Sequence, residues 1–213
     1  MRGAFITVEG IEGVGKTSSL AVIERCLSAQ GRRVVVTREP GGTVLGERIR
    51  EWVLSCDHES LSAETEALLM FAARAHHLRH VIAPALEAGR WVVCDRFSDA
   101  TFAYQGGGRG VSAPFLECLR DGVHGAYGGL DPDLTLLLDA PVDVGRARIR
   151  DREPDRFERE QTEFFERVRE TYLRLAERYP ARIRRIDASG TKAHVEQEVA
   201  EAVMRFAAEF DRR

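Results

Sequence analysis

The chain has 213 residues, which is enough for one sizeable hydrophobic core in one domain. A hydrophobic fraction of 44% and a charged fraction of 31% are typical of a soluble globular protein. The formal net charge of -3 argues against a general affinity for nucleic acid or for an anionic membrane. The sequence has no apolar run long enough to span a membrane and no signal peptide pattern at its first residues.

The cysteines give no sign of a disulfide framework or a zinc site. The four cysteines are Cys26, Cys56, Cys94 and Cys118, and none of them forms a CxxC pair. A chain of this length has no need of disulfide staples. We therefore expect reduced, buried thiols and a cytoplasmic protein.

Short apolar runs alternate with helical patterns along the chain. Five runs carry apolar, mostly β-branched residues on consecutive positions, as strands covered on both faces do. They span residues 4–8, 33–37, 91–94, 134–138 and 183–186. The alternation predicts an α/β fold: a five-stranded parallel sheet with helices on both faces, forming one domain over residues 1–213. Such sheets bind ligands at the carboxyl ends of their strands.

Apolar residues at intervals of three or four predict helices between these strands. The first helix ends near Gly31, and the second begins after Ser62 as N-cap. Pro84 should kink or end the second helix. The apolar stripes are Leu20, Ile23 and Leu27; Leu68, Phe71, Ala75, Leu78 and Ile82; Phe157, Phe164, Val168, Tyr172 and Leu175; and Val195, Val199, Val203, Phe206 and Phe210.

A glycine-rich motif, which we call the phosphate loop, follows the first strand at residues 10–17. Its sequence GIEGVGKT matches G-x-x-x-x-G-K-[ST] at every fixed position. The glycines let backbone N–H groups turn towards phosphate oxygens, Lys16 can bridge the β- and γ-phosphates, and Thr17 is placed for Mg²⁺. The predicted ATP contacts are Gly10, Ile11, Glu12, Gly13, Val14, Gly15, Lys16, Thr17 and Ser18. The motif alone does not distinguish a kinase from a GTPase or an ATPase.

Two arginines follow the next predicted strands. Arg38 lies in the TREPGGT segment, residues 37–43, and Arg96 lies in an Asp-Arg-Phe sequence after the third strand. A phosphate acceptor favours guanidinium clamps of this kind, and a solvated surface charge is the alternative for either arginine alone. Asp95 ends an apolar strand, a position from which a carboxylate can serve Mg²⁺.

Four segments together resemble bacterial thymidylate kinases. They are VEGIEGVGKT at residues 8–17, TREPGGT at 37–43, DRF at 95–97 and YQGGGRG at 104–110. The resemblance extends from about residue 3 to the last predicted helix. It implies a P-loop kinase fold, transfer of the γ-phosphoryl group of ATP-Mg²⁺ to dTMP in dTTP biosynthesis, and a homodimer.

The resemblance also implies residue roles in the dTMP site. Phe71 would stack on thymine and Arg74 would reach a thymine carbonyl, whereas the apolar stripe alone makes Phe71 a core residue. Tyr104 would crowd the sugar 2′ position, and Glu12 would lie near the 3′-hydroxyl. The other implied contacts are the phosphate-holding Arg38 and Arg96, the pocket wall at Pro40, and the base-facing Thr101 and Gln105.

An arginine-rich segment at residues 146–159 is predicted to be a lid over the phosphates. Its arginines are Arg146, Arg148, Arg150, Arg152, Arg156 and Arg159. Because the phosphate loop carries no basic residue at residues 11–14, the resemblance implies that the lid supplies the catalytic arginine. We favour Arg150 or Arg152, acting with Lys16, Arg96 and Glu12.

Two other functions remain open on the sequence alone. A kinase for another nucleotide or nucleoside would differ only at the base-facing positions. A nucleotide-dependent switch or regulatory ATPase would need no acceptor clamp. His76 and His80 have the spacing of a metal pair but no HExxH motif, so we interpret them, with His77, as surface or interface histidines. Residues 187–189 are the predicted contact for the donor base.

Overall fold

The computed structural model describes residues 2–55, 61–150 and 155–212. Its sheet has five parallel strands in the order β2-β3-β1-β4-β5. They are β1 (Phe5–Glu9), β2 (Val34–Arg38), β3 (Trp91–Asp95), β4 (Leu134–Asp139) and β5 (Ile183–Asp187). The predicted α/β fold with a five-stranded parallel sheet is confirmed, and each predicted strand boundary lies within one residue of the observed boundary.

Helices connect the strands. They are α1 (Lys16–Ala29), α2 (Val44–Leu54), α3 (Ala63–His77), α4 (Ala83–Glu87), α5 (Ser98–Thr101), α6 (Ala113–Gly125), α7 (Val142–Ile149), α8 (Thr162–Arg178) and α9 (Lys192–Phe210). A π-helical segment at Leu78–Ile82 joins α3 to α4, and a second at Phe102–Gly108 follows α5. Ser62 caps α3 as predicted, because its side chain accepts the Thr65 backbone N–H.

The residues of β1 alternate between the two faces of the sheet. Phe5 packs with Leu78 and Ile82 on one face, whereas Ile6 and Val8 belong to the larger cluster on the other face. That larger cluster includes the buried apolar residues of α1 and α9. Helices therefore cover both faces, and the carboxyl ends of the strands are left at one edge.

Three details of the predicted helices differ from the structure. Helical backbone continues from α3 through the π-helical segment into α4, where Pro84 lies in the first turn and its missing N–H is tolerated, so Pro84 does not end the helix; a kink at Pro84 stays a prediction. Leu68 is 48% exposed although it was placed in an apolar stripe. Phe157 is buried as predicted, but it lies before α8, which begins at Thr162.

The prediction that the cysteines are buried is right for one of the three described thiols. Cys94 on the central strand β3 is buried, whereas Cys26 is partly buried and Cys118 on α6 is exposed; all three are free. Cys56 lies outside the described residues. In the described part of the chain, none of the helices has the length and apolar content needed to cross a membrane.

Helix α7 packs directly against the phosphate loop. A Cβ atom added at Gly145 would lie 2.5 Å from the Glu12 carbonyl oxygen, and one added at Gly13 would lie 2.0 Å from the Gly145 carbonyl oxygen. Both distances are far below any real contact, so the two backbones approach closely only because both positions are glycine. The loop is thus held against the start of the lid segment.

Gly145→Ala should destabilise the protein because the new methyl group forces the two backbones apart. We expect thermal unfolding to show a melting temperature about 2–10 °C lower. Gly122→Ala is the matched control, since it lies in an exposed part of α6 where an added Cβ meets nothing within 4 Å. The control should keep or raise the melting temperature. Equal behaviour of the two variants would contradict this packing argument.

Candidate active site

The phosphate loop curls between β1 and α1. Gly10 and Gly15 adopt φ angles of +134° and +98°, and α1 begins at Lys16. The Lys16 ammonium group is turned inward, where Nζ donates to the carbonyl oxygens of Gly10 at 3.1 Å and Ile11 at 2.8 Å. A curled backbone at a helix N-terminus, with a partly buried lysine beside it, is a ready-made site for an anion such as a phosphate.

A cavity of about 440 Å³, which we call the central cavity, opens beside this loop at the carboxyl edge of the sheet. Its volume is in the range of small-molecule sites. The loop, the TREPGGT segment, α3 and the end of β3 all contribute to it. The predicted site residues that line it are Glu12, Gly13, Gly15, Lys16, Thr17, Ser18, Pro40, Arg74, Asp95, Arg96, Thr101, Tyr104 and Gln105.

The Glu12 carboxylate joins the phosphate loop to the far wall of the central cavity. Arg96 Nη2 donates to Glu12 at 2.7 Å, and the Tyr104 hydroxyl lies 2.8 Å from both carboxylate oxygens. Burial alone would raise the pKa of Glu12, but the charges of Arg96 and Lys16 hold that pKa below its ordinary value. Glu12 is therefore a negatively charged residue that links the loop to Arg96 through an ion pair.

Arg96 sits in an unusual backbone conformation at the end of β3. Its φ is 69°, the only positive φ at a non-glycine residue in the described part of the chain, and such a conformation costs roughly 1–3 kcal/mol. Its guanidinium lies over the Tyr104 ring at 4.7 Å. The next peptide is fixed by Glu9, whose carboxyl group accepts the Phe97 N–H at 2.7 Å. The surrounding contacts hold Arg96 in the orientation in which it lines the cavity.

Glu9 is a site residue that sequence reasoning missed. It is fully buried behind the loop and also accepts the Tyr172 hydroxyl at 2.8 Å. Burial and the nearby Asp99 charge raise the pKa of Glu9 to about 8. The available signal was an acidic residue within an otherwise apolar strand, directly before the first glycine of the loop.

Arg74 lies at the other end of the central cavity and is buried. Its Nε donates to Glu39 at 2.7 Å, and its Nη2 donates to the Phe97 carbonyl at 3.1 Å and to the Thr101 hydroxyl at 3.0 Å. Its Nη1 is buried and makes no hydrogen bond to any residue that the structure describes. Gln105 is fixed beside this end by donating to Glu66 at 2.8 Å. An unpaired buried donor calls for a partner, and a ligand in the cavity can supply it.

The interpretation of Phe71 as a base-stacking residue needs correction. Phe71 packs in a separate apolar cluster with Ala67, Val111 and Leu116, and it does not line the central cavity. Met70 lines the cavity instead. Met70 and Phe71 are consecutive residues and so point about 100° apart around α3, which leaves Met70 at the cavity and Phe71 in the apolar cluster.

The predicted clamp at Arg38 also needs correction. Arg38 has a side chain 52% exposed, pairs with Glu47 at 2.8 Å and does not line the central cavity. Arg50, on the helix that follows the TREPGGT segment, does line it and donates to the Pro40 carbonyl at 3.1 Å. Burial and the charges of Arg38 and Arg96 lower the pKa of Arg50. The sequence signal was a basic residue two turns into α2.

Asp95 and Thr17 fit a divalent cation that is held mainly by phosphate oxygens. Asp95 Oδ1 is buried and has no hydrogen-bond partner among the described residues, and both residues line the central cavity. Residues 2–55, 61–150 and 155–212 contain no group of three His, Cys, Asp or Glu side chains that would hold a metal ion by themselves. Mg²⁺ prefers oxygen ligands and is often bound by one or two protein side chains together with substrate phosphates, which matches Asp95 and Thr17.

The lid arginines are distributed over several contacts. Arg148 donates to the carbonyls of Ala188 at 2.9 Å and Gly190 at 3.0 Å, so it lies against the segment predicted to contact the donor base. Arg150 is exposed and lines a second cavity of about 430 Å³ together with Ile11 and Glu12. Arg152 lies outside the described residues.

Arg146 and Arg156 secure two parts of the segment. Arg146 donates to the Thr162 hydroxyl at 3.0 Å. Arg156 bonds the buried Glu66 and donates to the Val53 carbonyl at 2.8 Å. Arg148 also lines the central cavity, whereas Arg146 and Arg150 both line the second cavity.

Comparison with known proteins agrees with this site. A family model described as thymidylate kinase matches residues 8–199. Thymidylate kinase of Nitrosomonas europaea is 56% identical over 207 residues, covering 96% of this chain and 94% of the relative. That of Alkalilimnicola ehrlichii is 53% identical over 211 residues, covering 96% of both. The crystal structure of thymidylate kinase from Ehrlichia chaffeensis aligns with a TM-score of 0.74 at 32% identity, covering 95% of this chain and 99% of that one. The chain belongs to the thymidylate kinase family of phosphotransferases.

Proposed function

We propose that this chain transfers the γ-phosphoryl group of ATP to dTMP within the central cavity, giving dTDP and ADP. One observation carries the proposal: the Glu12 carboxylate of the phosphate loop holds Arg96 at 2.7 Å. The loop for a donor phosphate and the cation for an acceptor phosphate are therefore adjoining walls of one cavity. A switch protein or an acceptor-free ATPase has no use for such an arrangement.

The donor phosphates would lie on the phosphate loop. Their oxygens would replace the carbonyl oxygens of Gly10 and Ile11 as partners of the Lys16 ammonium group. Mg²⁺, bound with the nucleotide, would neutralise phosphate charge, and the Thr17 hydroxyl and the Asp95 carboxylate would hold it. The close packing of α7 on the loop keeps these groups in position.

The acceptor would bind with its base at the Arg74 end and its phosphate at the Arg96 end. Arg74 Nη1, which lacks a partner among the described residues, supports a carbonyl contact to the base. Thr101 and Gln105 would face the base, and Tyr104 would lie against the sugar. Met70 takes the stacking role first assigned to Phe71, and Arg50 with Arg96 takes the phosphate role first assigned to Arg38.

The transfer needs positioning and charge stabilisation rather than a strong general base. An acceptor phosphate oxygen is already ionised near neutral pH, so it can attack in line without giving up a proton. The lid at residues 146–159 would close over the phosphates, and Arg150 or Arg152 would stabilise the charge that develops. We place all of these parts in a single domain over residues 1–213.

A homodimer in the cytoplasm remains part of the proposal. Large apolar side chains are exposed on neighbouring helices, with Val44 85%, Trp52 45% and Leu68 48% exposed. A second copy of the chain could cover them.

A kinase for another nucleotide is the second candidate function, since it would share every feature of the phosphate-binding end of the cavity.

Acceptor choice tests the substrate assignment directly. With ATP and Mg²⁺, ADP release should be fastest with dTMP, slower with dUMP, and negligible with dCMP, dGMP, dAMP and thymidine. Loss of one methyl group is worth only about 1–3 kcal/mol, so dUMP should lose about 10–200-fold in kcat/KM. Faster turnover with another nucleotide would support the second candidate, and turnover without any acceptor would contradict a kinase.

The role of Lys16 predicts a pH dependence. Burial and the Arg96 charge lower the pKa of Lys16 to about 8, so this lysine loses its positive charge as pH rises through that value. Because the charged form binds phosphate, kcat/KM for ATP should fall above about pH 8, whereas kcat at saturating ATP should change less.

Two variants serve as references for that profile. Lys16→Arg keeps a charge that does not titrate in this range, so its lower kcat/KM should stay flat across pH 8. Lys16→Ala should lose about 10²-fold or more in kcat. Near wild-type turnover in Lys16→Ala would contradict the assignment, and so would an unchanged fall above pH 8 in Lys16→Arg.

A further inference from the structure

His77 occupies a position that its sequence neighbours do not suggest. It ends α3 beside the exposed His80 and the partly buried His76, yet its own side chain is 0% exposed. The interpretation of all three as surface or interface histidines is therefore wrong for His77, which is buried within the chain itself. A fully buried imidazole needs partners for both of its nitrogens.

Both nitrogens of His77 have partners in the TREPGGT segment. Nδ1 lies 3.0 Å from Glu39 Oε1, and Nε2 lies 2.7 Å from the Thr37 hydroxyl. A carboxylate only accepts hydrogen bonds, so in the neutral imidazole Nδ1–H donates to Glu39. Nε2 is then the acceptor for the Thr37 hydroxyl, and the orientation of the ring is determined at both ends.

Gly42 of the same segment packs closely against the imidazole ring. A Cβ atom at Gly42 would lie 2.4 Å from His77 Nε2 and 2.5 Å from Thr37 Oγ1, and the φ of Gly42 is +73°. Any side chain at this position would displace the ring or the hydroxyl. Three members of the TREPGGT segment thus contact one histidine of α3.

The Glu39 carboxylate passes this constraint on to Arg74. One oxygen of Glu39 accepts from His77, and the other accepts from Arg74 Nε at 2.7 Å. With Nη2 bound to the Phe97 carbonyl and Thr101, the plane of the guanidinium is set by groups on three sides. The remaining nitrogen, Nη1, is the one left for a ligand.

We propose that His77 is a positioning residue for dTMP recognition, holding Glu39 so that Glu39 orients the Arg74 guanidinium towards the base. The proposal rests on the base-binding role given to Arg74 above. His77 itself touches neither substrate. Its removal should therefore affect the acceptor site and spare the donor site, which lies across the cavity on the phosphate loop.

His77→Leu tests the positioning role because it puts an apolar side chain of similar length in place of the imidazole and removes both hydrogen bonds. We expect the KM for dTMP to rise about 10-fold while the KM for ATP stays within about 2-fold. The preference for dTMP over dCMP in kcat/KM should fall as well. His77→Gln, whose amide can donate to Glu39, should recover part of the loss. His76→Leu, on the same helix, should leave both KM values unchanged.

The double variant with Arg74→Met separates an indirect role from a direct one. If His77 acts through Arg74, His77→Leu should add little to the dTMP KM in the Arg74→Met background. Independent, multiplying effects would overturn the proposal. Equal rises in the KM values for dTMP and ATP would also overturn it, and so would a lower melting temperature with no change in dTMP preference.

Two further results distinguish the inference from the function it rests on. An unchanged dTMP KM in Arg74→Met would remove the base-binding role of Arg74, and the positioning role of His77 with it. A raised dTMP KM in Arg74→Met, with no rise in His77→Leu, would overturn only the positioning role.

Should His77→Leu fail to fold, Thr37→Val tests the same chain of contacts. A selective rise of about 3-fold in the dTMP KM would support the positioning role, and no change would overturn it.

Discussion

The bond between Glu12 and Arg96 is the interaction on which the rest of the site depends. The phosphate loop takes its shape from glycines and from α7, and the backbone at Arg96 has a positive φ that L-residues rarely adopt. The pairing of β1 with β3 places the two segments side by side, and the Arg96 N–H donates to the Val8 carbonyl at 3.0 Å. The 2.7 Å ion pair then fixes the two side chains against each other, and the Tyr104 hydroxyl on the same carboxylate adds the segment proposed to lie against the sugar. Two substrate phosphates can be brought into line only if these walls keep their separation.

Three acidic side chains organise the groups around this centre. Glu9 secures the peptide after Arg96, Glu12 holds the Arg96 guanidinium, and Glu39 holds Arg74. Glu12 and Glu39 are each paired with an arginine, and each pairing fixes a direction as well as a charge. Glu9 ends β1, Glu12 lies in the loop after β1, and Glu39 directly follows β2, so the parallel sheet brings all three to one edge. Arg74 Nη1 and Asp95 Oδ1 have no hydrogen-bond partner among the described residues, and both residues line the cavity where a base and a cation would bind.

Local patterns predicted the sheet and the phosphate loop because both depend on consecutive residues. Strand boundaries follow apolar runs, and the loop follows glycine, lysine and threonine spacing. The acceptor site was predicted less well. An α-helix turns by about 100° per residue, so an error of one position decides the assignment: Met70 faces the cavity, whereas Phe71 packs in a different apolar cluster. Arg50 has only a weak sequence signal, a basic residue two turns into α2. His77 acts through contacts between elements, for which the sequence carries no local signal. Arg152 lies outside the described residues, so the choice between it and Arg150 stays a prediction.

The central claim is that Glu12 and Arg96 act as one unit, and a double-mutant cycle measures this most directly. The kcat/KM for dTMP at saturating ATP would be compared for Glu12→Gln, Arg96→Lys and the double variant. If the carboxylate serves to hold the arginine, the double variant should lose clearly less than the product of the two single losses. Losses that simply multiply would contradict the account, because the two residues would then contribute independently to the acceptor site.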